Sequence, residues 1–159
     1  RGYSYDGAEA SFVMLARHTL GTVPEFFEVE SYRASVERRH NAKGQTVNVT
    51  EAVVKIVVDG ERLMSVAEGN GPVNALDLAL RKDLGKFQSE IADLELVDFK
   101  VRILDGGTGA VTRVLVESRD GSGERWTTIG VSANIIDASF EALYESITYK
   151  LLKTRGTAA

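Results

Sequence analysis

The chain has 159 residues, is 43% apolar and 26% charged, and carries a formal charge of −4 with no cysteine. That length suits one domain or two small units, and at this size roughly 68–70% of the unfolded surface is buried without help from disulfides or metals. The acidic balance and the missing thiols set aside nucleic-acid or anionic-membrane binding, a disulfide framework, a zinc–thiolate site and a thiol nucleophile.

Asp6-Gly7-Ala8-Glu9 has the spacing of a capping box, and Ala8, Phe12, Leu15 and Thr19 follow at helical spacing. A short amphipathic helix is therefore predicted over 7–20, stopped by Gly21 with Pro24 just beyond. Phe26 to Val36 alternates apolar and polar residues as a half-buried strand does. The basic cluster Arg38-Arg39-His40 is short and reads as a solvated strand end rather than a phosphate patch. A turn at 42–45 leads into a valine-rich strand, Val47 to Val58, and the Asp59-Gly60 hairpin signal returns the chain along Arg62 to Ala67. Asn48-Val49-Thr50 has the form of a glycosylation sequon, but no secretory signal accompanies it. A helix follows, with Pro72 at its first position and Val73, Leu76, Ala79, Leu80 and Leu84 on one face.

The second half runs through the same order. Leu96 to Leu104 alternates, 105–109 turns, Ala110 to Glu117 is valine-rich, 120–123 turns, and Arg125 to Val131 returns. The closing helix carries Ile136, Phe140, Leu143, Ile147 and Leu151 on one face. Asn74-Ala75 aligns with Asp137-Ala138, Ala79-Leu80 with Ala142-Leu143, and Asp59-Gly60 with Asp120-Gly121, offsets of 61 to 63 residues. The expected fold is α+β: an internally duplicated βββα unit (26–90 and 94–155) with pseudo-twofold symmetry, preceded by the short helix of 1–25. One such unit buries a single sheet face, so two are expected to pack together.

The search for chemistry finds little. His18 and His40 share no ligand spacing with carboxylates, and no Gly-x-Ser-x-Gly, Walker, HExxH or CxxC motif occurs. Glu90, Asp93, Glu95 and Asp98 surround a connection and read as solvated; Tyr144 and Tyr149, at i and i+5, read as packing residues. The loop Glu68-Gly69-Asn70-Gly71-Pro72 has two readings. It is a tight turn, or a cradle in which glycines at φ > 0 let a small anion reach the unpaired Val73 and Asn74 amides. It lacks the GxGxxG pattern of a dinucleotide site.

Three stretches, EGNGPVNALDLALRKDL (68–84), DFKVRILDGGTGAVTRVLVES (98–118) and WTTIGVSANIIDASFEALYESITYKLL (126–152), resemble the C-terminal regulatory domain of the 2-isopropylmalate synthase and citramalate synthase family. GYSYDGAEASFVMLAR resembles the linker subdomain before it, and KVRILDGGTGAVTRVLVES is most similar to the citramalate synthases. The resemblance implies a synthase that joins acetyl-CoA to pyruvate in a metal-dependent TIM barrel with an HxH motif. Neither barrel nor motif is in this sequence, so the divalent metal and acetyl-CoA are expected only in that catalytic barrel. The first residue is Arg rather than Met, so a fragment of something longer is expected, and without the barrel it is expected to be inactive alone.

For this chain the resemblance implies a cytoplasmic homodimer that binds isoleucine, else leucine, and feeds back on the barrel of the same polypeptide, with neither nucleic acid nor membrane as partner. Carried over, Gly69, Asn70, Gly71, Val73 and Asn74 hold the amino acid's polar end, and Leu96, Phe99, Ile103 and Ile135 line its aliphatic pocket. Many relatives have Tyr at Phe99. Ser132-Ala133-Asn134 replaces Gly-Asn-Gly in the second repeat, so a second polar cradle is not expected. Glu68 is a candidate for the ammonium group or an ordinary surface residue. Strict alternation puts Phe99, Val101 and Ile103 on one strand face and Leu96 on the other, unless a bulge intervenes. The alternatives are a leucine-binding domain of a 2-isopropylmalate synthase, or a dimerisation module with no effector.

Overall fold

A computed structural model describes residues 25–104 and 110–155, with Gly21 besides. The helix expected over 7–20 and the turn at 105–109 lie outside the described residues. The chain divides into two compact units, Phe27–Gln88 and, with Phe26, the residues from Ser89 onward.

In the first unit, β1 (Glu28–His40), β2 (Thr46–Val58) and β3 (Glu61–Gly69) form an antiparallel sheet in the order β1-β2-β3, followed by α1 (Pro72–Lys82). The strands run longer than alternation predicts. β1 continues to His40, whose last residues pair with Thr46 to Asn48, so the basic cluster is an exposed strand end. The β2–β3 hairpin turns on Asp59 (φ 51°) and Gly60 (φ 79°), the two left-handed residues a tight primed turn requires. The helix lies over β2 and β3 and hardly over β1. Its predicted stripe of Val73, Leu76, Ala79 and Leu80 is buried against Ala52, Val54, Ile56 and Ser65. Full burial of each large aliphatic side chain contributes about 1.5–3 kcal/mol. Leu84 is also fully buried, though the helix stops at Lys82 and Gly85 (φ 58°) starts a 3-10 helix, Gly85–Ile91.

The second unit repeats the plan with β4 (Glu95–Leu104), β5 (Val111–Arg119), β6 (Arg125–Ser132) and α2 (Ile135–Arg155). Of its predicted stripe, Phe140, Leu143, Ile147 and Leu151 are buried and Ile136 is half-buried. Ala138, Ala142, Ser146 and Thr148 are buried as well, so α2 is enclosed over more than one stripe. Small side chains let it lie close: a Cβ at Gly130 would collide with the Ala138 carbonyl. Ser146 Oγ lies 2.5 Å from Ser118 Oγ and accepts the Trp126 indole N–H at 3.2 Å, tying α2 to β5 and β6.

The duplication extends to irregularities. β1 has a bulge between Val29 and Ser31, and β4 has one between Leu96 and Asp98, 67 residues on. Buried Phe27 and Leu94 precede the two strands at the same offset. Candidate carboxylates read as solvated are in part engaged. Glu90 pairs with Arg155 at 2.8 Å, Glu95 with Arg119 at 3.0 Å, and Asp93 with Lys150 at 3.1 Å. These are structural ion pairs, not an acid–base couple.

Candidate functional site

The loop between β3 and α1 is built by two glycines for two different reasons. Neither adopts the positive φ anticipated from composition: left-handed glycines among the described residues are Gly21, Gly44, Gly60, Gly85 and Gly123. Gly69 is the last residue of β3, paired with Thr50, and the first turn of α1 crosses directly over it. A Cβ there would lie 2.5 Å from Asn74 Oδ1 and 2.7 Å from the Ala75 nitrogen. Gly71 is extended (φ 169°, ψ 177°), and an added Cβ would meet nothing within 4 Å. Gly69 serves packing, whereas the space beside Gly71 is open.

Gly71 is the N-cap of α1, and its carbonyl accepts the Ala75 N–H at 2.9 Å. No side chain caps the helix, and the first turn holds no acidic residue. Pro72 has no N–H to satisfy. The amides of Val73 and Asn74 precede the point where intrahelical acceptors begin. Asn74 Oδ1 instead accepts the Asn70 N–H at 3.0 Å, which folds the loop back onto the turn. Val73's side chain belongs to the core, 2% exposed, so only its backbone can meet a ligand. Glu68 is bonded to Arg39 at 3.0 Å, which weakens its claim on an ammonium group.

The equivalent helix end in the second unit is closed. Asn134 Oδ1 accepts the Ile136 N–H at 2.7 Å and the Asp137 N–H at 3.4 Å, and Ser132 Oγ accepts the Asn134 N–H at 3.2 Å. Asp137 adds a negative charge in the first turn. An Asn cap satisfies internally the donors that α1 leaves open, and the acidic residue neutralises the helix dipole there.

The bulge at Val97 decides where the predicted apolar residues point. Leu96 pairs with Ser118, Phe99 with Val116, Val101 with Val114 and Ile103 with Thr112. Ser118, Val116 and Val114 are buried on the face that α2 covers. The bulge thus brings Leu96 onto the same face as Phe99 and Ile103. Yet α2 lies over β5 and β6, so the row on β4 stays open: Phe99 is 42% and Ile103 72% exposed. Ile135, the first residue of α2, is also exposed. Gly69, Asn70, Gly71, Val73 and Asn74 are therefore brought together in the first unit. Leu96, Phe99 and Ile103 share one strand face in the second unit, where Ile135 also lies.

Sequence reasoning missed the densest polar cluster. Asp120, in the β5–β6 turn, is almost wholly buried and receives Lys150 Nζ at 2.9 Å, Lys153 Nζ at 2.6 Å and Ser122 Oγ at 2.6 Å. Burial opposes its ionisation, but the hydrogen bonds from Lys153, Ser122 and Lys150 outweigh it and hold the carboxyl well below the usual carboxylate range. Asp93 joins through Lys150 and the Gly121 N–H, at 2.9 Å to the latter. The cluster pins the turn to α2. Among the described residues no group of three His, Asp or Glu side chains is placed to hold a metal ion. No helix among them is long and apolar enough to cross a membrane.

Residues 6–151 match the family model described as the LeuA allosteric (dimerisation) domain. The chain is 50% identical over 155 residues to an (R)-citramalate synthase of Streptomyces coelicolor, covering 96% of this chain and 28% of that protein. It is 48% identical over 153 residues to an (R)-citramalate synthase of Synechocystis sp., covering 95% and 28%. A 2-isopropylmalate synthase of Carboxydothermus hydrogenoformans is 30% identical over 130 residues, covering 82% and 23%. The chain thus spans about a quarter of the length of these relatives.

Proposed function

This chain belongs to the LeuA allosteric (dimerisation) domain family, and from that premise we propose that it is the isoleucine-binding regulatory part of a citramalate synthase. The observation that carries the reading is the contrast between the two helix ends. One βββα unit leaves its first-turn amides and dipole uncapped beside open space, while the other closes them with Asn134. With one open helix end among the described residues, the duplicated fold offers one such carboxylate position.

In this reading the effector's carboxylate sits on the Val73 and Asn74 amides, with Gly71 giving it room. The row of half-buried Leu96 and exposed Phe99 and Ile103, with Ile135, offers an aliphatic surface to the side chain. The dimer expected of the family is the setting in which that surface becomes enclosed. Phe99 offers no hydroxyl, so the pocket recognises shape and apolar area. The longer protein would condense acetyl-CoA with pyruvate in a separate barrel, and isoleucine bound here would lower that activity in the cytoplasm. Such feedback needs a coupling free energy of about 1–3 kcal/mol between effector site and active site.

The similarity to a 2-isopropylmalate synthase makes leucine the specific competitor. One aliphatic slot discriminates these isomers by about 1–3 kcal/mol. Thermal melting with isoleucine, leucine, valine and pyruvate tests the proposal. Isoleucine is expected to raise the midpoint most. Stabilisation by leucine above isoleucine moves the assignment to the leucine branch, and no shift with any of them leaves a dimerisation module.

A further inference from the structure

Four strands form the outer edges of the two sheets, and three of them are protected. β1 carries Glu28, Glu30, Arg33, Glu37, Arg38 and Arg39, and β4 carries Asp98, Lys100 and Arg102, the charges that blunt an edge. On β6 the Val131 N–H is taken by Glu141 Oε1 at 3.0 Å. β3 is different. Its middle, Leu63-Met64-Ser65-Val66-Ala67, has no charge, and Met64 is 63% and Val66 39% exposed.

A groove of about 820 Å³ runs beside β3, lined by Val66, Ala67 and Glu68 on that strand, Glu51 on β2, and Leu78, Arg81 and Lys82 on α1. Lys82 Nζ donates to the Val66 carbonyl at 2.8 Å. That carbonyl therefore points away from β2, and strand alternation aims the backbone groups of Arg62, Met64, Val66 and Glu68 the same way.

We propose that this edge joins the β3 of a second copy, antiparallel about Ser65, to make one six-stranded sheet across the dimer. The register follows from the residues. Only outward-pointing residues can pair by hydrogen bonds, so Met64 faces Val66 and Arg62 faces Glu68 of the second copy. Each match occurs twice by symmetry. Apolar side chains meet apolar ones, and each cation meets a carboxylate. On the helix side Ser65 faces its own equivalent and Leu63 faces Ala67. Lys82 releases the Val66 carbonyl to the incoming strand, and docking also covers exposed Leu78. Strands lie about 4.8 Å apart and α1 sits over β2 and β3, so the two copies of α1 come about 10 Å apart, an ordinary packing distance.

This inference rests on the dimer named in the family description and not on the effector. Sedimentation equilibrium of the whole chain tests it with charge reversals. Arg62→Glu or Glu68→Arg alone sets like charges opposite each other and is expected to raise the dimer dissociation constant about tenfold. The double reversal restores the pairing between copies while still opposing Glu30 and Arg39 within each chain, their present partners. Recovery of the dimer by the double variant supports the register. A monomeric parent, unaffected single variants or an unrecovered double variant each overturn it.

Crosslinking gives an independent reading, because the chain has no cysteine. Met64→Cys with Val66→Cys is expected to give a disulfide-linked dimer under mild oxidation. A double variant that stays uncrosslinked overturns the pairing. Isoleucine enters neither readout, so failure of the effector reading leaves both outcomes unchanged.

Discussion

Replacing Gly71 by Asp separates the effector site from the fold. The backbone at Gly71 is extended and an added Cβ meets nothing within 4 Å, so the side chain enters without strain. It arrives at the N-cap of an uncapped helix, where its carboxylate accepts the Val73 and Asn74 N–H groups. Asp is a better cap than Gly by a few tenths of a kcal/mol, and the helix dipole adds about 0.3–1 kcal/mol. The free variant should melt at or slightly above the parent.

Its response to isoleucine should be lost, because the same two amides are proposed to hold the ligand carboxylate. Two charge-assisted hydrogen bonds at about 1.5–3 kcal/mol each imply at least about a hundredfold loss of affinity. At isoleucine about 100 times the parent's dissociation constant, the parent gains about 2.7 kcal/mol and the variant no more than about 0.4 kcal/mol. For a chain of this size that is a shift of about 5–10 °C against less than about 2 °C. Differential scanning fluorimetry, with circular dichroism to confirm the fold, reads both values. A Gly71→Asp protein that binds isoleucine as the parent does would refute the carboxylate position. One that fails to fold would refute the account of Gly71 itself.

Gly69→Ala is a packing defect rather than a binding defect. The new Cβ presses on Asn74 Oδ1 and the Ala75 backbone, and stability in urea should fall by about 1–3 kcal/mol with or without ligand. Ile103→Asp, at a position 72% exposed, should leave the free chain within about 0.5 kcal/mol of the parent yet weaken the isoleucine response. Asp120→Asn loosens the buried cluster and should cost up to about 3 kcal/mol at neutral pH, moderated because Lys150 keeps Asp93 and Lys153 keeps Glu124. Asp120's folded-state pKa is depressed, so its contribution is complete above about pH 4 and lost as pH falls through that lower value. The acid limb of a melting-temperature profile should therefore be flatter in Asp120→Asn; an unchanged limb contradicts the assignment.

The order of elements was legible because alternation and helical spacing act over whole segments, and both survive errors of two or three residues at the ends. Local departures were not. The bulge at Val97 inserts one residue, and strict alternation cannot show it, yet it moves Leu96 to the face of Phe99. β1 bulges at the matching place of the repeat, and that bulge too shows only in the strand pairing. Leu84 lies in the short link between α1 and the 3-10 helix and is still buried, so the stripe read as one helix runs past the helix's end. Gly69 and Gly71 look alike in sequence. Only the crossing of α1 over the end of β3 makes one a packing glycine and leaves the other facing open space. The Asp120 cluster joins residues up to 57 positions apart, which no local pattern reveals.

Isothermal titration of isoleucine into the whole chain tests the central claim most directly. One open helix end among the described residues predicts saturation at one isoleucine per chain, with loss of the heat in Gly71→Asp. Two isoleucines per chain would mean that the Asn134-capped end also binds. No heat, together with no melting shift for isoleucine or leucine, would contradict effector binding altogether.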